Sequence, residues 1–273
     1  MQGGLKVKNL KKYRDQNKRL ISIITVVLNS EQFIEGTIRS VLDQSYDNIE
    51  FIIIDGNSTD NTQNIIKKYE NQIDYWISEP DNGIYDAMNK GLELATGDYV
   101  NFLNAGDRFY NNDTLAILFH DVNSVDIDLV YGDTIVQTEK GNKLGYLKAF
   151  DYNKKNLIRM GTRTVSHQSL FIKKNKTPFY DSKYQLKGEL DWYFEILESN
   201  KDLKIFYKNI PVVYYSLGGF GYNNFYKNLY ERIVLIYNRF GLIRSIYNIP
   251  IYFISIIFHY VTILKERLRD KKN

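Results

Sequence analysis

The sequence of 273 residues contains no cysteine. This absence excludes a disulfide-stapled scaffold, a thiol nucleophile and any zinc or iron–sulfur site with cysteine ligands. Residues 1–20 are basic but lack the apolar run that a secretory signal needs. We therefore expect the protein to stay in the cytoplasm, a reducing compartment that suits a chain without cysteine.

The common phosphate-binding motifs are absent as well. The chain has neither the G-x-x-x-x-G-K-[ST] motif of P-loop proteins nor a G-x-G-x-x-G motif after a strand. Where a sugar nucleotidyltransferase has a glycine-rich basic loop after its first strand, this chain has Asn29-Ser-Glu-Gln32. These absences exclude a P-loop enzyme and a Rossmann dehydrogenase, and they leave a nucleotidyltransferase of related fold only as an alternative.

Acidic residues are scarce at both ends of the chain. Residues 1–20 carry seven Lys/Arg and one acid, residues 216–273 carry nine and three, and residues 21–215 carry 20 and 28. A nucleic-acid-binding protein would have its basic patch on the body, so we expect no nucleic-acid partner. The distribution instead predicts a body that holds a cation and basic ends that meet an anionic surface.

Apolar runs alternate with helical periodicity in the first 110 residues. The runs at 21–28 and 50–55 predict buried strands of a parallel sheet, the first buried on both faces, and the runs at 75–78 and 99–103 predict two further strands. Apolar spacings of three and four between them predict helices, so the order is β-α-β-α-β-α-β. This alternation predicts an α/β protein with a mostly parallel, Rossmann-like sheet flanked by helices. Further elements are predicted downstream: strands at 127–131 and 165–172, a helix at 188–199, a strand or hairpin at 203–215, and a basic helical tail.

Carboxylates collect where the predicted strands end. Asp55 and Asp107 follow buried strands, and Asp81 and Asp86 follow the strand between them. In parallel sheets, ligands bind outside the carboxyl ends of the strands. Any one of these residues can also be an ordinary turn-capping aspartate. Clustered carboxylates repel each other unless a cation lies among them, so we predict a Mg²⁺ or Mn²⁺ site that shares the ion with a diphosphate.

Five longer motifs stand at the predicted strands and the loops that follow them. They are Ile23-Ile-Thr-Val-Val-Leu-Asn29, Ser40-Val-Leu-Asp-Gln-Ser45, Glu50-Phe-Ile-Ile-Ile-Asp-Gly-Asn-Ser-Thr-Asp-Asn-Thr62, Ser78-Glu-Pro-Asp-Asn-Gly-Ile-Tyr-Asp-Ala-Met-Asn-Lys-Gly91 and Ala95-Thr-Gly-Asp-Tyr-Val-Asn-Phe-Leu-Asn-Ala-Gly-Asp107. These motifs resemble the family 2 glycosyltransferases, and the resemblance covers residues 21–234. It implies the GT-A fold, a metal-dependent enzyme and inverting transfer from a nucleotide-diphospho-sugar. The bacterial branch that builds capsule, exopolysaccharide or O-antigen is the most similar.

The resemblance also implies a division of the chain. Residues 1–20 would form a basic N-terminal segment, and residues 21–220 would form the GT-A domain. Within that domain, residues 21–110 would bind the nucleotide sugar and residues 111–220 the acceptor. Residues 221–273 would form a helical, basic and aromatic extension that associates with the membrane. A loop at 217–220 resembles one that closes over the donor.

The donor-binding residues are assigned by the same resemblance. Thr25, Asn29 and Asp55 would line the nucleoside pocket, and Asp81 lies where the family has an acid near the nucleotide. Asn104-Ala-Gly-Asp107 occupies the place of the family's Asp-x-Asp motif, with Asn104 in place of the first acid. Asp107 is then the only charged metal ligand, and the ion must be held by it together with the diphosphate.

Two acids compete for the role of general base. An inverting transfer needs one carboxylate to take the proton of the acceptor hydroxyl. Glu189 and Asp191 both begin the predicted helix at 188–199, where acids are also favourable for the helix dipole alone. The residues themselves do not separate them, and the resemblance favours Asp191. His167 lies in a His-Gln pair that recurs near the diphosphate in this branch, although a histidine in a strand can also be purely structural.

The tail indicates a membrane surface. Residues 245–264 carry no charged side chain apart from the neutral His259, and residues 265–272 add five bases and two acids. The length would permit a span, but polar residues and tyrosines favour a helix pair lying in the interface. Burial within a soluble enzyme or a dimer is the remaining alternative.

Taken together, the sequence predicts an inverting hexosyl- or N-acetylhexosaminyltransferase. The donor would be a UDP-sugar, or else a GDP-sugar, and the acceptor a lipid-linked or polysaccharide glycan at the inner face of the membrane. A homodimer formed through the C-terminal helices is a further expectation. A non-catalytic protein that binds nucleotide sugars is the competing class, because Asn104 replaces an expected metal ligand.

Overall fold

The structure, a computed structural model, describes residues 1–10, 12, 14–122, 125–138, 141–216, 224–250 and 253. Within these residues, ten strands form one mixed sheet. They are β1 Gln2–Gly3, β2 Ile21–Val27, β3 Ile49–Asp55, β4 Tyr75–Ser78, β5 Tyr99–Phe102, β6 Arg108–Phe109, β7 Leu129–Gln137, β8 Lys143–Leu147, β9 Leu170–Lys173 and β10 Ile205–Ser216.

Helices cover both faces of this sheet, as crossovers between parallel strands require. The α-helices are α1 Ile34–Leu42, α2 Thr62–Lys68, α3 Ile84–Leu94, α4 Thr114–Phe119, α5 Lys154–Met160, α6 Gly188–Ser199 and α7 Phe225–Tyr247. Short 3₁₀ turns occur at Gly161–Arg163, His167–Ser169 and Lys174–Lys176.

The strand order is β1-β4-β3-β2-β5-β9-β7-β10-β6, and β8 pairs with β7. The block β4-β3-β2-β5 is parallel throughout, and β9 runs antiparallel between β5 and β7. The carboxyl ends of β2, β3, β4 and β5 therefore meet at one edge. The predicted parallel sheet is confirmed, and its four polar strand ends lie side by side.

Two cores form because the strand residues alternate between the faces of the sheet. Ile24, Ile52 and Ile54 pack on the face that carries α3, α6 and α7. Ile23 and Ile53 pack on the face that carries α1, α2 and α4. All five isoleucines are at most 1% exposed. This double burial explains why apolar residues occupy both faces of β2 and β3.

The sequence prediction is wrong between 165 and 169. A strand was expected at 165–172, but the strand begins only at Leu170, and the turn His167–Ser169 precedes it. The turn is stabilised from inside: the Asn101 side-chain amide donates to the carbonyls of Gln168 and Leu170, both at 2.9 Å. His167 and Gln168 are thereby placed at the polar edge of the sheet.

The basic N-terminal segment packs against the body. β1 extends the sheet beyond β4, and Lys6 pairs with the buried Glu50 at 2.8 Å. Lys12 and Arg14 both reach Asp74, at 2.7 and 2.5 Å. Much of the positive charge of this segment is thus matched by acids of the domain itself rather than by an external anionic surface.

Helix α7 forms the C-terminal extension. Leu235 and Ile236 are fully buried against the core, and the helix is interrupted at Gly241, whose φ is 77°. Among the described residues, no helix has the length and apolarity to cross a bilayer. Most of the predicted interfacial stretch and the loop at 217–220 lie outside the described residues.

Candidate active site

Asp55 closes the end of β3. Its carboxylate is fully buried and accepts hydrogen bonds from the Ser58 amide at 3.0 Å, the Ser58 hydroxyl at 2.5 Å and the Ser78 hydroxyl at 2.6 Å. Ser78 lies opposite Asp55 in the register of β3 and β4. Asp55 therefore shapes the loop after β3 and ties it to the next strand. The sequence missed both serines, although each lies at or just beyond a strand end.

The loops after β2 and β3 are also joined. Asn29, with φ 46°, accepts from the Thr59 amide at 2.9 Å through its side-chain oxygen. The backbone amide of Asn29 donates to the Ser58 hydroxyl at 2.8 Å. Thr25 lies deeper, fully buried, and donates to the Leu103 carbonyl at 2.7 Å. Asn29 is exposed at the opening of the candidate site, whereas Thr25 supports the backbone beneath that opening.

Asp81, in the loop after β4, lies at the third side of this opening. Its Oδ1 accepts from the Gly83 amide at 2.9 Å. Its Oδ2 would lie only 2.5 Å from a Cβ at position 56, so Gly56 is required for Asp81 to approach. The predicted nucleoside residues Asn29, Asp55 and Asp81 thus lie on three connected loops.

Asp107 is held from two directions. Its Oδ2 accepts from the Gln168 side-chain amide at 2.9 Å, and its Oδ1 accepts from the Ser216 backbone amide at 3.0 Å. The carboxyl group is 4% exposed. Burial raises its pKa to about 7, against the lowering effect of these two hydrogen bonds. Such a carboxylate is electrostatically suited to a cation.

A line of polar contacts runs from Asn104 to Glu189. The Asn104 side-chain amide lies 3.2 Å from His167 Nε2, and His167 Nδ1 lies 2.8 Å from Glu189 Oε1. The Tyr193 hydroxyl is 2.9 Å from the same Glu189 oxygen. The Asn104 amide nitrogen faces His167 Nε2, so Nε2 accepts a hydrogen bond. The imidazole proton then lies on His167 Nδ1, which faces Glu189.

His167 and Glu189 each shift the pKa of the other. Burial alone would lower the pKa of His167, but the Glu189 charge and hydrogen bond raise it above its ordinary value. Burial would raise the pKa of Glu189, but His167 and Tyr193 bring it below its ordinary value. Glu189 is therefore held as a carboxylate at neutral pH.

Asp191 lies apart from this line. Its Oδ1 accepts from Arg239 Nε of α7 at 2.7 Å, and the same guanidinium contacts Glu195 at 3.1 Å and Glu198 at 2.6 Å. Asp191 is 5% exposed. The structure thus brings Asn104, Asp107, His167 and Glu189 together, and it places Asp191 in an ion cluster that fastens α7 to α6.

Few protein oxygen atoms near Asp107 are available as metal ligands within the described residues, so the site fits an ion whose other ligands come from phosphate and water. Among the described residues, no group of three or more His, Asp or Glu side chains is arranged to hold a metal. The Asn104 Oδ1 atom is buried and has no hydrogen-bond partner among them. One carboxylate and one amide oxygen suit a Mg²⁺ or Mn²⁺ ion that is otherwise bound by phosphate and water.

The sheet combines a parallel block, whose carboxyl edge carries the polar loops, with an antiparallel part that carries the second half of the candidate site. This is the layout of a GT-A glycosyltransferase. Solved structures share it. The chain is similar to the mannosyltransferase PcManGT of Pyrobaculum calidifontis in complex with GDP-Man and Mn²⁺, with a TM-score of 0.59 and 14% identity, covering 92% of this chain and 79% of that one. It is also similar to Staphylococcus aureus TarS 1–349 in complex with UDP-GlcNAc, with a TM-score of 0.55 and 17% identity, covering 80% and 67%.

Sequence comparison defines the family. The model of Glycosyl transferase family 2 matches residues 22–182. A PGL/p-HBAD biosynthesis glycosyltransferase of Mycobacterium bovis (strain BCG) is 31% identical over 205 residues, which are 72% of this chain and 77% of that one. A putative teichuronic acid biosynthesis glycosyltransferase, TuaG of Bacillus subtilis, is 45% identical over 96 residues, which are 34% and 38%. The chain belongs to glycosyl transferase family 2.

The ion cluster gives a first testable prediction. Arg239→Gln should lower the free energy of unfolding by about 3 kcal/mol, because the Asp191 carboxylate is then buried without its cation. Adding Asp191→Asn should recover part of the loss, as a double-mutant cycle in urea would measure. Arg244→Gln, an exposed arginine of the same helix, is the control and should change stability by less than about 0.5 kcal/mol. An Arg239→Gln variant as stable as the wild type would contradict the structural role of Asp191.

Proposed function

We propose that this glycosyltransferase is an inverting enzyme that moves a hexose or N-acetylhexosamine from a nucleotide-diphospho-sugar to a glycan acceptor. The observation that carries the proposal is the contact line from Asn104 through His167 to Glu189, which lies beside the buried Asp107. In this arrangement an ionised carboxylate for the acceptor proton and a carboxylate suited to a cation would lie close together, as the transfer requires.

Glu189 is the proposed general base. In an inverting transfer the acceptor oxygen bonds to C1 of the sugar, the bond from C1 to the diphosphate breaks on the opposite face, and the hydroxyl proton passes to the base. Glu189 is ionised and lies beside His167, whereas Asp191 is engaged by Arg239. The structure therefore favours Glu189 over Asp191, the acid preferred from the resemblance. His167 would position the Glu189 carboxylate.

Asp107, with the Asn104 amide oxygen, would hold the divalent ion. When bound, a Mg²⁺ or Mn²⁺ ion would supply positive charge to the diphosphate leaving group. Gln168 and the Ser216 amide keep the Asp107 carboxylate in place for that task. The neighbour complexes with Mn²⁺, among them a mycobacterial glucosyl-3-phosphoglycerate synthase with UDP, support this assignment.

Thr25, Asn29, Asp55 and Asp81 would form the nucleoside pocket. The loops that carry Asn29, Asp55 and Asp81 are joined by hydrogen bonds and by the Gly56 contact, so the pocket is largely preformed. UDP is the favoured nucleotide and GDP the second choice. Support comes from the named complexes, since TarS was solved with UDP-GlcNAc and PcManGT with GDP-Man.

The acceptor would be a lipid-linked or polysaccharide glycan in surface glycan biosynthesis, reached at the cytoplasmic face of the membrane. Tyr226, Tyr230, Ile233 and Tyr237 form one exposed stripe along α7, at helical spacings of three and four. After the break at Gly241, further apolar side chains are exposed, including Ile243 at 71%. Tyrosine-rich apolar faces of this kind suit the membrane interface. Self-association through the same face is the alternative use of the stripe.

The competing function is nucleotide-sugar binding without turnover. Asn104 favours it, because the amide replaces the first acid of the family's metal motif. If the protein is an enzyme, replacing Glu189 lowers turnover. If it is a binding protein, the same replacement can change only the affinity for the donor.

Replacement of the two acids tests the base. Glu189→Gln should lower the turnover of sugar transfer, or of donor hydrolysis, by about 10²- to 10⁴-fold while donor affinity changes little, since it removes the proton acceptor and keeps the shape of the side chain. Asp191→Asn is the matched control, two positions along the same helix, and its folded fraction should keep turnover within about tenfold of the wild type. Equal loss in both variants, or loss in Asp191→Asn alone, would contradict the assignment. A wild type that binds donor but shows no turnover would favour the binding function.

Metal removal tests Asp107. Calorimetry should show that UDP binds the wild type more tightly with Mn²⁺ than with EDTA, because the ion links the diphosphate to the carboxylate. Asp107→Asn should abolish that difference without changing the affinity measured in EDTA. Asp86→Asn, an acid of α3 outside the contact line, should keep the Mn²⁺ effect. Identical affinity with and without Mn²⁺ in the wild type would contradict the metal role.

The stripe on α7 is tested with vesicles. Changing Tyr226, Tyr230 and Tyr237 to serine should reduce cosedimentation with phosphatidylglycerol vesicles, because it removes the apolar and aromatic contact area. Ile117→Ser changes an exposed residue of α4, on the opposite face of the sheet, and should leave binding unchanged. Unchanged vesicle binding by the triple variant would count against this surface. A shift from dimer to monomer in that variant would assign the stripe to self-association.

A further inference from the structure

The second half of the sheet has one face that is lined with tyrosines. Four side chains lie in register across it: Tyr146 of β8, Ile135 of β7, Tyr214 of β10 and Arg108 of β6. Paired residues of neighbouring strands lie on the same face of a sheet. Ile135 is buried at the centre of this row but belongs to neither of the two cores. Tyr146 is 47% exposed and Arg108 is exposed, so the row forms an outer surface of the protein.

Asp133 fixes the rings of this face from below. It lies two residues before Ile135 in β7 and is fully buried. Its carboxylate accepts hydrogen bonds from the hydroxyl groups of Tyr146 and Tyr207, the second at 2.9 Å, and from the Ala149 amide at 2.8 Å. These bonds hold the two tyrosine rings in set orientations. The face is therefore preorganised, which lowers the entropy cost of binding a ligand.

The near end of the face adjoins the candidate active site. The Ser216 amide donates to Asp107 at 3.0 Å. The Gln137 side-chain amide donates to the Ser216 hydroxyl at 3.1 Å, and Arg108 donates to the Gln137 side-chain oxygen at 3.3 Å. This chain of hydrogen bonds joins the exposed Arg108 to the carboxylate proposed to hold the metal ion. A ligand on the face could thus reach the reacting centre.

The far end of the face opens into a cavity of about 420 Å³. Phe150 is 44% exposed there, so its ring is accessible to a ligand. The volume is typical of small-molecule sites, which combine apolar surface with a few polar groups. The residues that line the cavity provide both kinds of surface: Lys148, Ala149, Phe150, Asp151, Asn156 and Tyr207.

The length and chemistry of the face indicate its ligand. Ser216 pairs with Gln137, and Tyr207 pairs with Tyr131, six residues earlier in β7. At about 3.3 Å per residue the face extends for about 20 Å, which is longer than one sugar ring. Sugar rings have an apolar C–H side and a rim of hydroxyl groups, which match aromatic rings bordered by hydrogen-bonding groups. A lipid or protein surface would instead bury the charged and amide groups at both ends of the face, at a cost.

We propose that the glycan chain of the acceptor binds along this surface, which we call the glycan face. Its members are Arg108, Tyr110, Tyr146, Phe150, Tyr207 and Tyr214. The inference rests on the proposed function and specifies the acceptor as a chain of several sugars. Tyr110 is 37% exposed, and its ring centre lies 5.4 Å from that of Tyr214, so it contacts sugars near the reacting end. Phe150 contacts sugars farther along the chain.

An array of bacterial surface oligosaccharides, printed beside their component monosaccharides, tests the glycan face. The labelled full chain is applied with UDP and Mn²⁺, and UDP binding is measured in parallel by calorimetry. The wild type should bind at least one oligosaccharide of three or more sugars at least about tenfold more tightly than any monosaccharide, because added sugars contact further rings. Phe150→Ala should lose this gain with chain length. Tyr110→Ala should weaken the binding of short and long chains alike, by about tenfold.

Phe179→Ala is the matched control, since Phe179 is an aromatic residue outside the glycan face and is 55% exposed. It should bind the array like the wild type. Because Tyr110 and Phe150 are themselves largely exposed, the melting temperatures of their variants should stay within about 2 °C of the wild type, which excludes misfolding as the cause of lost binding.

The outcomes separate the glycan face from the proposed function. A wild type that binds UDP but no oligosaccharide overturns the glycan face and leaves the proposed function standing, as does oligosaccharide binding that neither Phe150→Ala nor Tyr110→Ala weakens. Oligosaccharide binding that depends on these two residues, in a wild type that binds no nucleotide, supports the glycan face and overturns the proposed function. A wild-type dimer that Phe150→Ala converts to a monomer, without oligosaccharide binding, assigns the surface to self-association and overturns the glycan face.

Discussion

The buried carboxylate of Asp107 connects three distant parts of this chain. It belongs to the loop after β5, it accepts from Gln168 in the turn His167–Ser169, and it accepts from the amide of Ser216 at the end of β10. Through these contacts, the turn that carries His167 and the end of β10 are both attached to the loop after β5. The proposed metal site depends on this group, and the turn that carries His167 beside the proposed base is attached to it through Gln168.

Helix geometry then separates the two acids of α6. Residues two apart on an α-helix project about 200° from each other, so Glu189 and Asp191 cannot serve the same pocket. Glu189 faces His167, and Asp191 faces Arg239 of α7. One helical turn thus carries the proposed base on one side and the contact that holds α7 on the other.

Most of the first 110 residues could be predicted, because local sequence determines them. β2 and β3 are buried on both faces, and their largely apolar sequences and polar ends follow from that burial. The assignment of Thr25, Asn29, Asp55 and Asp81 to the nucleoside pocket came from the resemblance to the family, and it remains a proposal. The second half was harder, since its contacts span long distances in the chain: Asn101 shapes the turn at His167, and Arg239 engages Asp191, 48 residues away. Apolar periodicity does not encode such contacts, which is why the turn was read as a strand and the choice between two acids stayed open. The contact of Ser78 with Asp55 likewise spans 23 residues, whereas Ser58 lies only three residues after Asp55 and was missed although its contact is local.

The central claim is that Asp107, Asn104, His167 and Glu189 form one active centre for sugar transfer at the carboxyl edge of the sheet. A crystal structure of the wild type with UDP and Mn²⁺ tests it most directly. The account predicts the nucleoside against the loops of Asn29, Asp55 and Asp81, the ion bound by Asp107 and the diphosphate, and Glu189 facing the open side of that diphosphate. A nucleotide bound elsewhere, or an ion held without Asp107 while Asp191 faces the diphosphate, would contradict it.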